Sequence, residues 1–287
     1  MFKLATFGII SCVILLLIGF QSASASDLAG RLRLGAIGGM GMCEQRDLNG
    51  TIDDAEDFWT PWNVDWGDTE LRRVLEVGAY AEYVVSENWV VGAEFLRLSS
   101  SGGYDWYDGW SSGAVGMTDV DMGYNATGYL ISAYGVYRLP LGDSPAALRL
   151  GAGAGYLLGA QFKMDFSAYQ EGQFWPGTPE STAVYQTDLR ANGSTLALTG
   201  LVGAEYEMTG HFLLSANIAY RVASIAELEV DDFRKTVNGL PSQSWDIEEG
   251  KILRWDSENM SFSTDEGDLV GLDFSGLHFT LMVAYVF

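Results

Sequence analysis

Cysteine, histidine and basic residues are scarce in this chain. Its 287 residues include two cysteines, two histidines and 16 lysines and arginines, against 38 aspartates and glutamates. Cys12 falls in an apolar leader, so Cys43 has no second thiol for a disulfide or a cysteine-built metal centre. The formal net charge of -22 argues against nucleic acid as a partner and against simple attraction to anionic lipid. Long apolar runs are missing as well. The chain is 48% hydrophobic, yet beyond the leader no run approaches the roughly 20 residues of a spanning helix. Organised apolar sequence with 13% aromatics excludes disorder.

Residues 1–25 read as an export signal. Lys3 supplies the positive start, Phe7 to Phe20 the apolar core, and Ala23-Ser24-Ala25 a small-x-small cleavage site. The expected division is a signal peptide over 1–25 and one domain over 26–287. Ile9-Ile10-Ser11-Cys12 has a faint likeness to a lipid-attachment box, but it lies inside the apolar run, which argues against lipidation.

Beyond the leader the sequence alternates with period two. The expected strands cover about residues 30–42, 70–85, 89–98, 123–139, 147–160, 194–208, 212–222 and 277–287. In the fifth, Leu148, Leu150, Ala152, Ala154, Tyr156 and Leu158 alternate with Arg149, Gly151, Gly153 and Gly155. Tight turns fall at Ser86-Glu87-Asn88, at residues 139–146 with Pro140 and Pro145, and at Thr209-Gly210-His211. Four long polar segments, about 44–69, 99–122, 161–193 and 224–269, join the other ends. One apolar and one polar face per strand, with long and short connections alternating, predicts an all-β fold. It is an eight-stranded antiparallel transmembrane β-barrel, an up-and-down meander with four long extracellular loops and three short periplasmic turns.

Glycines on the polar face fit a narrow interior filled by alternating small and large side chains. That face also carries Arg72, Glu76, Glu82, Glu94, Arg149, Glu205, Glu207 and Arg221. These are the candidate interior polar network, since charges there must be paired or hydrated. Arg149 is expected to meet Glu205, with Glu94 in reach, and Arg221 to meet Glu76. Tyr83, Trp89, Tyr137, Tyr206, Phe212, Tyr285 and Phe287 gather near the short turns, as a girdle at headgroup level does. That places the short turns on the periplasmic side.

The leader, the alternation of long and short connections, and the ending Leu281-Met282-Val283-Ala284-Tyr285-Val286-Phe287 carry a family likeness. Residues 26–287 resemble the small bacterial outer-membrane β-barrels, especially the eight-stranded ones. The resemblance implies a porin-like cell-envelope protein in the outer membrane of a Gram-negative-type cell. It implies Tyr285 and Phe287 as the assembly signal, read by the barrel-assembly machinery after periplasmic chaperones have escorted the chain. Outer-membrane lipid and lipopolysaccharide are then its surroundings.

Function is read less sharply. The long segments interleave carboxylates such as Asp53, Asp54, Asp105, Asp108, Asp231, Asp232, Asp265 and Glu266 with Phe58, Trp59, Trp62, Trp66, Tyr104, Trp106, Tyr107 and Trp110. Divalent cations are candidate partners of such acidic loops, although no run has the spacing of a dedicated calcium loop. The expectation is a structural or surface-binding protein, with no catalysis, cofactor or resident metal. One alternative is a narrow channel for small cations or small solutes, favoured by the carboxylate excess inside. Another is a lipid-modifying hydrolase using His278 as base beside Ser215.

Overall fold

The computed structural model describes residues 29–43, 45, 49, 72–111, 115–142, 144–172, 181–241, 247–256, 261–265 and 267–287. The expected signal peptide, the aromatic and acidic residues of segment 44–69, and Glu266 lie outside them. Among the described residues fifteen strands succeed one another: β1 (Leu32–Cys43), β2 (Arg73–Ser86), β3 (Trp89–Ser111), β4 (Val115–Pro140), β5 (Ala146–Gly172), β6 (Ser181–Thr209), β7 (Phe212–Val222), β8 (Ser224–Ile225), β9 (Glu229–Val237), β10 (Leu240–Pro241), β11 (Arg254–Asp256), β12 (Ser261–Ser263), β13 (Asp268–Leu269), β14 (Leu272–Asp273) and β15 (Gly276–Val286).

The main sheet is antiparallel and has ten strands in the order β10-β9-β6-β5-β4-β3-β2-β1-β15-β7, with an additional β6–β7 pairing. Period-two sequence becomes period-two burial. In β7 the pattern alternates buried and exposed from Leu213 to Val222, and β1 repeats it around Ile37 and Cys43. The exposed partners are large and apolar. Leu34, Met40, Leu75, Val77, Phe95, Ile131, Leu150, Leu196, Val202, Ile218, Phe279 and Leu281 all face outward. Leu196 is 74% exposed and Leu150 64%. A band of this kind has no place on a water-soluble monomer.

The inner face pairs tyrosine with glycine. Gly35 lies opposite Tyr80, and Tyr134 lies between Gly92 on β3 and Gly153 on β5. A Cβ at Gly92 would stand 2.6 Å from the ring of Tyr134, and one at Gly153 would stand 2.8 Å from its Cβ. The missing side chains are what lets two rings fold inward.

Three parts of the expected architecture are corrected. The sheet has ten strands rather than eight. It is not a simple meander, because β6 branches: Leu198–Thr209 pair with β7, while Tyr185–Asn192 pair with β9. Among the described residues the sheet therefore keeps an edge at β10 and is not a plain closed eight-stranded cylinder. Finally, two of the expected loops are strand. The described residues of 99–122 continue the β3–β4 ladder to Ser111↔Gly116, and those of 161–193 continue the β5–β6 ladder to Gly172↔Ser181. The 27 residues of β5 run roughly 90 Å, against about 30 Å of hydrocarbon layer. Strand length judged from that layer stops too early.

The last expected loop is not a free loop either. Ile225, Leu228, Leu253, Phe262, Val270, Leu272 and Phe274 are buried with Leu98, Tyr124, Phe162 and Leu189 of the long strands in one apolar cluster. These described residues of segment 224–275 pack against the long strands.

Gly92→Ala is expected to destabilise the fold by about 1–3 kcal/mol through the clash with Tyr134. Gly200→Ala, where nothing lies within 4 Å of the added carbon, should be neutral or stabilising. Urea unfolding in lipid vesicles separates the two.

Candidate functional site

Alternation aims the charged side chains. Arg33 sits between outward Leu32 and Leu34, and Glu82 between Ala81 and Tyr83. Arg149 and Glu205 hold the equivalent places in β5 and β6. Because the apolar side chains face out, these four must face in, and each is almost wholly buried.

They meet in one layer. Glu205 Oε2 accepts from Arg33 Nη1 at 3.1 Å and from Arg149 Nη1 at 3.1 Å. Its Oε1 accepts from Arg33 Nη2 at 3.4 Å and from Arg138 Nε. Glu82 Oε2 takes Arg33 Nη1 at 3.2 Å, while its Oε1 takes Arg149 Nη2 and the hydroxyl of Tyr134 at 3.1 Å. Ser215 Oγ accepts from Arg149 Nη1 at 3.3 Å. Charges from β1, β2, β4, β5 and β6 are thus tied across the interior. Three guanidiniums face two carboxylates here, which leaves one positive charge over.

A second group lies apart from this layer. Arg221 on β7 pairs with Glu76 on β2, and His278 Nδ1 on β15 stands 2.8 Å from Glu76 Oε1. His278 Nε2 is 3.7 Å from Cys43 Sγ. A cavity of about 30 Å³ opens beside Glu94, Ser132, Tyr134, Arg149, Asn217 and Arg221. Glu94 Oε1 accepts from Ser132 Oγ at 2.8 Å. Nε of Arg149, Nε of Arg221 and Oδ1 of Asn217 are buried without a protein partner. A chamber of that volume has room for one or two waters, and Leu96, Leu201, Ala219 and Met282 line it beside these polar groups.

Of the sequence-derived network, Glu76, Glu82, Arg149, Glu205 and Arg221 are brought into these two groups, and Glu94 lines the chamber. Arg149 reaches Glu205, and Arg221 reaches Glu76. Glu207 is half-buried near the β6–β7 turn, and Arg72 is exposed just ahead of β2. Arg33 and Arg138 lie outside the expected set, although Arg33 sits on the polar face of its strand. Arg138 is harder to see, because it lies one residue from a girdle tyrosine and two from Pro140. His278 does not meet Ser215, which belongs to Arg149. Among the described residues no group of three or more His, Cys, Asp or Glu side chains is arranged to hold a metal ion.

The girdle aromatics contact one another near the short turns. Trp89 and Tyr137 meet edge to face at 5.3 Å, and Tyr285 touches Phe212 at 5.4 Å and Phe287 at 4.7 Å. Phe212 is buried under this cluster, whereas Phe287 is 63% exposed.

Farther along the strands, beyond the apolar band, Asp165 and Asp188 are direct cross-strand partners. Lys163 Nζ holds Asp165 Oδ2 at 2.7 Å. Asp188 is raised above the ordinary aspartate range, first by its hydrogen bond with Asp165, then by lost hydration and the charge of Asp165. A carboxyl raised in the folded state stabilises most below its unfolded value, and that contribution is lost as pH rises through the folded value.

Glu205→Gln should cost about 3–5 kcal/mol, because Arg33, Arg138 and Arg149 lose their shared carboxylate in a buried place. Exposed Glu87→Gln should change stability by less than about 0.5 kcal/mol. Asp188→Asn should gain only about a few tenths of a kcal/mol at neutral pH, since the pair is largely exposed. That gain should vanish in acid, on the protonated side of the aspartate range. Equilibrium unfolding of the three variants at neutral and acid pH measures all of these.

No curated protein matches this chain. Residues 13–239 match the family described as outer membrane protein beta-barrel domain. That match covers most of the chain, agrees with the outward apolar band and the antiparallel sheet, and supports an outer-membrane location. The chain belongs to the outer membrane protein beta-barrel domain family.

Proposed function

We propose that this protein is a non-conducting outer-membrane protein of the structural or surface-binding type. The observation that carries this reading is the double filling of the interior. Arg33, Arg138 and Arg149 with Glu82 and Glu205 cross-link five strands at one level. Phe162, Leu189, Leu253, Phe262 and Phe274 pack the interior at another. A solute would have to displace both a paired ionic layer and a close-packed apolar one.

In this reading the outward band of β1–β7 and β15 contacts acyl chains, with the aromatic cluster at Trp89, Tyr137 and Tyr285 at the periplasmic headgroups. Residues 1–25 are removed on export. Tyr285 and Phe287 serve as the assembly signal. The prolongation of β3–β6 with β9 and β10 stands outside the cell and presents the surface. Its charges suit contact with lipopolysaccharide through divalent cations. Catalysis has no part in it, because the ring nitrogens of His278 face Glu76 and Cys43 and all three side chains are sealed from solvent.

Reconstitution into planar bilayers tests the reading. Wild-type protein, Glu94→Gln and Arg221→Ala should all show no current steps above the lipid baseline. Unitary steps from the wild type that shrink in Glu94→Gln would establish a cation path instead.

A further inference from the structure

The outward face of the prolonged sheet carries a charge pattern that the interior does not explain. Phe162, Met164, Leu189 and Ala191 are buried in the apolar cluster, so Lys163, Asp165, Asp188 and Arg190 on the same two strands face out. Lys163 and Arg190 are direct cross-strand partners on β5 and β6, and Asp165 and Asp188 are partners in the next row. Both rows set like charge against like. Opposite charges in such places stabilise a sheet, whereas like charges facing each other weaken it. Lys163 finds relief along its own strand, where its Nζ meets Asp165 Oδ2 at 2.7 Å. Arg190 is left over. Its neighbour on β9 is Asp232, which pairs with Arg234 at 3.3 Å instead. Among the described residues no carboxylate lies within ion-pair distance of the Arg190 guanidinium.

We propose that Lys163 and Arg190 bind a phosphate group of the lipopolysaccharide sugars directly, with no metal ion between. This rests on the outer-membrane reading above and names one contact of the surface described there. Position supports it. The outward apolar set ends at Leu158 on β5 and Leu196 on β6. The two cations lie farther along the same strands, roughly 15 Å above that border once strand tilt is allowed for. The face that carries them continues the lipid-facing band without a break, so it stands among the sugars that follow the acyl chains. Chemistry supports it as well. The Arg190 guanidinium is a planar fork that matches two phosphate oxygens, and Lys163 sets a second positive charge beside it. Asn125 stands opposite Lys163 on β4, and Asn192 lies one row nearer the membrane on β6. Both add neutral donors at the rim of the pair. The net charge of -22 gives no general attraction to an anionic surface, so the contact is a local one. A phosphate seated between the cations removes the repulsion that the bare sheet leaves in place.

Isothermal titration of purified lipopolysaccharide into the full chain in detergent, with EDTA present, tests this. The wild type should bind, and the double variant Lys163→Gln with Arg190→Gln should bind roughly tenfold more weakly while its circular dichroism is unchanged. Asp165→Asn removes the carboxylate that competes for Lys163 and should tighten binding about threefold. Lipopolysaccharide stripped of its phosphates should bind the wild type as weakly as the intact lipid binds the double variant. Equal binding by the double variant, by the stripped lipid, or after addition of an equal concentration of inorganic phosphate checks the three parts separately. The first two results overturn the site and leave the surface-contact reading standing, and the third is expected. Binding that needs magnesium in place of EDTA overturns the direct contact in favour of a divalent bridge. No binding in either condition overturns the surface contact and this site together.

Discussion

Glu205 is the residue on which the interior depends. One carboxylate on β6 is shared by guanidiniums from β1, β4 and β5. Each of those arginines would be costly to bury alone. The arrangement is stable only if all the strands are present in one register. A slip of one residue in any of them would send a charge outward into the apolar band and an apolar side chain inward. The ionic layer therefore selects the fold more than it stabilises it, and Tyr134 and Ser215 are tied into it by hydrogen bonds to Glu82 and Arg149.

Space is the second constraint, and glycine meets it. Gly35, Gly92 and Gly153 give up their side chains where Tyr80 and Tyr134 need room. The apolar part of the interior draws in the described residues of segment 224–275 as well, with Ile225, Leu228, Leu253 and Phe274 among its members.

Much of this was legible in the sequence. Strand positions near the membrane could be read because each residue there faces either hydrocarbon or a crowded interior, and alternation is strong. Arg149 with Glu205 could be matched by their similar distances from the turns, and Arg221, lying deeper, could be set against Glu76 across the interior. Strand length was not legible in the same way. Phe162, Met164, Phe166 and Ala168 do alternate with Lys163, Asp165, Ser167 and Tyr169, but the outward set becomes polar once the strand leaves the apolar band. A polar face resembles a loop when strand length is judged from lipid thickness. The β6–β9 pairing was invisible for another reason. It joins residues some forty positions apart across an intervening strand, and nothing local marks it. Cys43 and His278 likewise meet only because β1 and β15 lie side by side.

The forked strand also sets an order of events. The lower half of β6 can zip onto β7 through the tight Thr209–Phe212 turn as soon as both exist. Its upper half must wait for residues 229–237 to come back past β7 and claim it. Contacts so distant in the chain close slowly. The outer seam of the sheet is therefore zipped after the β6–β7 hairpin, and until then the upper half of β6 is a place where an unfinished molecule would offer bare amides to a neighbour.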